Sequence, residues 1–373
     1  MIKIRELEDT DLNSLSEFLP HGFPNTTKKF WLHLFDWWWP LNPAYSRQLP
    51  KGWVLIKGES ILGFIGNIPV KYRFHGELQI AAASNSWYVD PSVRGLVSLK
   101  LFNEYVKQKR PSLFLFKRGD DEHVLKILSR YQFKEYILPK SQKEYVYVIQ
   151  KRKAGFIFRD FLLKNRIPAL SELSELYKQA GFLVFAYLYQ KSVIEARVLP
   201  GNTYTSSLCT SCDDSFFKIW EPFLHSCEVA LSRDTKTLNW LYFSSARANK
   251  RVVFQCHRSR DKTLAGYMVF DFERINPSGE GIMNLMDICI ENNDPHVLAS
   301  LTSFAIETGK QNNAALLVVW ANNQETETYF RRTFTMRMNV HHYRYIRFSE
   351  PSAMNSGRDN YHTVCPPMIF PPQ

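Results

Sequence analysis

The feature that most constrains this chain is an internal echo at a nearly constant distance. Trp37 and Trp240 are 203 positions apart, as are Gly63 and Gly266. Asp90-Pro91 and Asp294-Pro295 lie 204 apart, and Phe133 and Phe334 lie 201 apart. Spacing kept through several elements marks one structural unit used twice. The hydrophobic patterning repeats with it. In the first half, strands are predicted near Ile2–Ile4 and over 52–58, 61–74, 77–89, 112–117 and 144–150, with helices after Asp9 or Thr10 and over 96–108 and 123–131. The second half gives strands over 251–258, 264–275, 283–290, 315–320 and 341–348 and helices over 296–311 and 325–334. Strands interleaved with helices at these lengths define an α/β class. The expectation is a tandem duplication in which each domain is a mixed, mostly antiparallel sheet flanked by helices. The boundaries predicted are a first domain over 1–150, a connector over 151–206, a second domain over 207–348 and a flexible tail over 349–373.

Composition enters through charge. Lys and Arg outnumber Asp and Glu by six across 1–150 and by five across 151–200, and the signs balance from 201 onward. A polyanionic ligand is therefore expected with the first half or the connector, although surplus basic residues also simply solvate a surface. No apolar run reaches the roughly 20 residues of a membrane span. The N-terminus lacks an apolar signal region, and six scattered cysteines make no disulfide framework, so a cytoplasmic protein with reduced thiols is expected.

The stretch FDWWWPLNP, Phe35–Pro43, sits where LNWLYFSS sits in the second half. Three consecutive tryptophans cannot all face one core from a regular helix or strand. One is read as a packing anchor shared by both halves. Trp38 and Trp39, specific to the first, either wall a substrate site or pack.

At VDPSVRG, with its strand, Asp-Pro, Arg-Gly and helix, the chain resembles the GNAT acyltransferase superfamily, and the resemblance covers most of both halves. RDTKTLNWLY, and WWWPLNP followed by GFIGNIPV, are similar to one branch often linked to bacterial surface polysaccharide or lipid metabolism. The resemblance implies acetyl-CoA or another acyl-CoA as donor, with no metal, and transfer of the acyl group to an amine on a small molecule, amino sugar or lipid-linked acceptor. It places the CoA pyrophosphate at a helix N-terminus over Val89, Arg94, Gly95, Leu96, Val97, Ser98 and Leu99. Val97 and Leu99 stand where the family has small residues. In the second half Leu298 and Ala299 replace Arg94 and Gly95, and no phosphate cradle is expected there.

The family's proton donor is a tyrosine five positions before the terminal phenylalanine, with an asparagine ahead of it. Asn322 and Tyr329 match before Phe334. In the first half Asp121 and Leu128 take those places, and Tyr131, on the same helix face, is the substitute. Ser84, Asn85 and Asp90 are candidates for positioning the acceptor, and a backbone N–H near Trp87–Val89 for the oxyanion. Two other readings stay open. One is a binding or scaffold protein whose domains have lost catalysis. The other is a Fem-like transferase taking its acyl group from aminoacyl-tRNA. Cys209-x-x-Cys212 with His225 and Cys227 fits no common zinc spacing, and Cys256-His257 in a strand points to opposite faces.

Overall fold

The computed structural model describes residues 2–74, 77–108, 111, 113–117, 122–136, 143–150, 203–224, 229–244, 250–274, 281–321, 323–334, 336–339 and 344–348. The tail over 349–373 and all of the predicted connector except 203–206 lie outside them. Contacts divide the chain into two compact units. The first comprises Met1–Leu138, Glu221–Ala248 and His342–Gln373, and the second Pro139–Trp220 and Asn249–His341.

The first unit runs β1 (Ile2–Glu6), α1 (Leu12–Phe18), α2 (Lys28–Trp38), β2 (Gly52–Lys57), β3 (Ser60–Phe74), β4 (Glu77–Val89), α3 (Leu96–Val106), β5 (Leu113–Lys117), α4 (Glu122–Arg130) and β6 (Lys134–Tyr136). Next in the chain come β7 (Lys143–Val148), β8 (Tyr204–Cys209), α5 (Asp214–Leu224), β9 (Val229–Leu231) and α6 (Thr235–Phe243). The rest is β10 (Arg251–Arg258), β11 (Leu264–Arg274), β12 (Gly281–Ile290), α7 (Pro295–Gln311), β13 (Ala314–Trp320), α8 (Gln324–Thr333), β14 (Met336–Asn339) and β15 (Arg344–Phe348).

One sheet has the order β1-β2-β3-β4-β5-β15-β6, with β9 added against β3, and the other β8-β10-β11-β12-β13-β7-β14. Position for position the orders agree, yet the sixth strand of each comes from the opposite half of the sequence. β7 pairs with β13, and β15 pairs with β5. The units are thus not colinear with the chain. The segment 144–150, read as closing the first domain, supplies a strand to the second sheet. Residues 341–348 supply one to the first, and β8 starts inside the predicted connector. Strand period and length carry no information on which sheet a strand joins, so the sequence does not show this exchange.

The stretch over 22–50 contains α2. Thr27 caps it, accepting from the Phe30 N–H at 3.2 Å. All three tryptophans are buried, at 3%, 0% and 0% exposure for Trp37, Trp38 and Trp39. They are not presented from one regular element, because the helix ends at Trp38. Trp39, at φ −123° and ψ −73°, turns back to stack on Phe35 at 5.4 Å. Trp37 stacks on Trp240 of α6 at 5.2 Å, and each indole N–H donates to the other's backbone carbonyl, at 2.9 and 2.7 Å. The two residues that echo each other in sequence therefore bind each other within the first unit.

Trp39 and Asn42 also complete a sheet edge. β2 covers β3 as far as Gly66, and β9 covers it from Tyr72. Between them Trp39 Nε1 donates to the Asn67 carbonyl at 3.0 Å, and Asn42 Nδ2 donates to the Pro69 carbonyl at 2.8 Å. A buried carbonyl left unpaired costs about 1–3 kcal/mol, so these side chains replace a missing ladder. Pro69, which has no N–H to offer, sits in this gap, where an edge tolerates it.

Candidate functional site

The sheets open at the same place. β4 and β5 run parallel and pair only from Ala81–Leu113 to Ala83–Leu115, while β4 continues to Val89. On its other side β4 carries a bulge against β3 where Ser86, at φ +51°, and Trp87 face Ile65. A bulge re-aims the backbone, and here it does so beside a diverging pair of strands. Ser84 lies at the floor of this wedge, buried, with Oγ 3.4 Å from the Leu115 carbonyl. Tyr105 of α3 reaches the same floor, its hydroxyl donating to the Ala82 carbonyl at 2.7 Å. Buried Asn85 accepts from the Ser86 hydroxyl at 2.7 Å.

Val89 ends β4, and a 3-10 turn over Pro91–Val93 leads to Gly95, the N-cap of α3. Gly95 has φ +113°, a conformation costly to any residue with a Cβ, and open space where a Cβ would project. It offers no side-chain cap, so the first turn of α3 presents backbone N–H groups in an exposed corner. Arg94 lies beside it. Its Nε donates to the Val89 carbonyl at 2.8 Å and its guanidinium sits 5.7 Å from the Tyr88 ring. An uncapped helix end beside a held guanidinium suits a phosphate.

Val97 packs against the core cluster of Leu101, Phe102 and Tyr105, so its bulk turns inward. Ser98 and Leu99 are half-buried, and Leu96 is 77% exposed at the lip. Asp90 is engaged locally. Its carboxylate accepts from the Ser92 N–H at 2.9 Å and the Ser92 hydroxyl at 2.5 Å, which holds it below the usual carboxylate range. It acts as the cap of the corner rather than as a group free to position an acceptor.

Tyr131 follows α4. Its ring meets Phe102 edge-on at 5.1 Å, and Phe102 stacks on Trp87 at 4.8 Å, a chain of rings from α4 across α3 to β4. Its hydroxyl is 3.5 Å from Asn103 Oδ1. Leu128, at the position of the usual tyrosine, is fully buried. Tyr329 belongs to the second unit, on α8, where burial pushes its hydroxyl up against the opposing effect of the Thr302 and Thr333 hydroxyls. Tyr131 and Tyr329 thus pack on separate cores, and Asn322 lies outside the described residues. Trp38 and Trp39, wholly buried, do not wall a site as their sequence context suggested; packing and edge repair use them instead.

The second unit has the same wedge and bulge, filled differently. The β12–β13 pairing ends at Asn284–Val318, and β12 runs on to Ile290 past a bulge at Met286. Trp320 reaches across the opening and its Nε1 donates to the Leu285 carbonyl at 2.7 Å. The helix here starts at once: Asp294 caps α7 by accepting from the His296 N–H at 2.8 Å, and Leu298 N–H donates to the Asp294 carbonyl at 3.2 Å. Leu298 is buried.

No protein-family model and no curated protein matches the chain. Solved structures do. A protein of unknown function from Enterococcus faecalis V583, described as a probable N-acyltransferase, superposes with a TM-score of 0.58 at 11% identity, covering 95% of this chain and 74% of that one. A GCN5-related N-acetyltransferase from Anabaena variabilis gives 0.55 at 10%, covering 93% and 73%. An N-myristoyltransferase from Saccharomyces cerevisiae, solved with bound myristoyl-CoA, gives 0.52 at 12%, covering 92% and 78%. At such identities the likeness establishes the fold, which is GNAT-like in both halves. No described helix is long and apolar enough to cross a membrane.

Proposed function

We propose that the chain is an acyl-CoA-dependent N-acyltransferase whose donor binds the first unit. The observation that carries this reading is the combination at one corner of an uncapped α3 N-terminus, Arg94 beside it, and a bulged β4 diverging from β5. In this reading the donor pyrophosphate sits on the open N–H groups at Gly95, Leu96 and Val97 against Arg94, and the thioester reaches the bulge. The acceptor is an amine on a small molecule, an amino sugar or a lipid-linked compound. It loses a proton and attacks the thioester carbonyl. A β4 N–H near Trp87–Val89 stabilises the oxyanion. The CoA thiolate leaves with a proton from Tyr131, the hydroxyl at the α4 end of the ring chain. Similar structures that bind or transfer acyl groups support the reaction class, and the basic first half suits a polyphosphate donor.

We further propose that the halves arose by duplication, supported by matching sheet orders and the reciprocal Trp37–Trp240 pair. The second reading, a binding protein without catalysis, is favoured by one observation, the buried Leu128 in place of a tyrosine. Titration of the protein with acetyl-CoA, repeated on Arg94→Glu, separates the two. One site that is lost in the variant supports the donor assignment, whereas no heat at millimolar ligand sinks it.

A further inference from the structure

Cys209 and Cys212 stand outside the donor corner and have no part in the reaction proposed above. Cys209 ends β8, and Cys212 lies two residues ahead of α5. The turn between them brings Cys209 Sγ to 3.0 Å from the Ser211 carbonyl, and the two thiols are within hydrogen-bonding reach of each other. Both are thiols outside any disulfide and are buried, at 7% and 4% exposure. Asp213, the nearest carboxylate in sequence, is turned away to accept from the N–H and hydroxyl of Ser215. No group of three or more metal-ligating side chains occurs among the described residues.

We propose that Cys209 and Cys212 form a redox-active pair that passes between a dithiol and an intramolecular disulfide. Two cysteines separated by two residues across one turn, with thiols that hydrogen-bond to each other, need little backbone movement to bond. The pair is also asymmetric. A hydrogen bond from Cys212 favours the thiolate of Cys209 and pushes that thiol down, while the same bond and burial push Cys212 up. Cys209 is therefore the attacking sulfur and Cys212 the resolving one.

With a low-molecular-weight disulfide as oxidant, the Cys209 thiolate attacks one sulfur and expels the first thiol. Cys212 then gives up its proton, attacks Cys209 Sγ and expels the second. The protein loses two electrons and two protons, and the oxidant is reduced to two thiols. β8 is the edge strand of its sheet, so local opening at its end gives the oxidant access. The disulfide would tie β8 to the start of α5, a helix held over β11 and β12 by the Phe216–Tyr267 contact at 5.0 Å and by Cys289 Sγ near the Ile219 carbonyl.

The test incubates the reduced full chain with oxidised glutathione, then denatures it, alkylates it and maps the peptides. Cys209 and Cys212 should resist alkylation together, on a peptide lighter by two hydrogens, while Cys256 and Cys289 alkylate normally. Cys212→Ser should accumulate a glutathione adduct at Cys209, and Cys209→Ser should take none at Cys212. Full alkylation of both thiols in the wild-type chain overturns the proposal, as does a disulfide from either one to another cysteine. An adduct at Cys212 in Cys209→Ser overturns the assignment of the attacking sulfur. The wild-type map needs no substitution, so a misfolded variant leaves it decisive.

Discussion

Two corners of this molecule start from the same Asp-Pro and end differently. After Asp90-Pro91 the chain makes a short 3-10 turn, passes through Gly95 in a left-handed conformation, and only then begins α3. After Asp294-Pro295 the helix begins at once and is capped by Asp294 itself. The delay leaves the first helix end open, with an arginine beside it. In the second half the first turn of α7 is capped by Asp294, and Trp320 bridges the gap between β12 and β13. A shared fold therefore supplies the wedge in both halves. Whether the wedge can receive a ligand depends on where the helix starts and on what the chain puts in the opening.

The comparison breaks most visibly at the reciprocal Trp37–Trp240 contact. Trp37→Ala or Trp240→Ala should each cost about 3–5 kcal/mol in denaturant unfolding, because each removes a buried ring and leaves the partner's backbone carbonyl without its indole donor. The double variant should cost much less than the sum, since both changes delete one interaction.

At the donor corner, Tyr131→Phe should lower kcat about 100-fold or more while leaving acetyl-CoA affinity unchanged, if Tyr131 supplies the proton. Tyr329→Phe in the second unit should change kcat little. The reverse result would move the chemistry to the other half. Arg94→Glu should weaken acetyl-CoA binding by at least about tenfold with unfolding unaffected, as expected for losing one charge-assisted phosphate contact.

Gly95→Ala tests the open helix start itself. No atom blocks a Cβ there, so the penalty is conformational, about 1 kcal/mol, and it should appear in both stability and binding. A change to Ala at Leu298 should instead cost about 2–5 kcal/mol of stability and leave donor binding alone, because that residue is buried in the second core.

The smallest effect concerns pH. Tyr204 donates to Asp294 at 2.6 Å, and this bond pushes its hydroxyl from 10.0 up to about 12. A value raised by folding adds stability that is complete below pH 10 and is lost as pH climbs towards 12. Tyr204→Phe should therefore flatten the alkaline limb of the stability curve across that window. The first unit has no such tyrosine at its own Asp90, which is satisfied by Ser92.

Much of this was legible in the residues. Periodicity placed the long strands and helices of both sheets, because a two-residue repeat and a 3.6-residue repeat are local properties, but it did not assign α2, β6, β8, α5, β9, α6 or β14. The Asp-Pro steps, Arg94-Gly95 and the missing tyrosine at Leu128 likewise showed that the two halves would differ. How the tryptophan run packs was hidden, since α2 ends one residue before Trp39 and that break lets all three rings be buried. The role of Asn42 was also hidden, because it repairs a gap in a strand 27 positions away.

What the sequence alone determined, then, is the set of elements, their doubled order and the chemistry available at each corner, all of which follow from local pattern and residue type. Only the tertiary structure decided that β7 and β15 trade sheets, that Trp37 and Trp240 close on each other, and that one wedge stays open while the other is plugged. Those outcomes depend on contacts between residues far apart in the chain, where many pairings satisfy the same local pattern and packing selects among them.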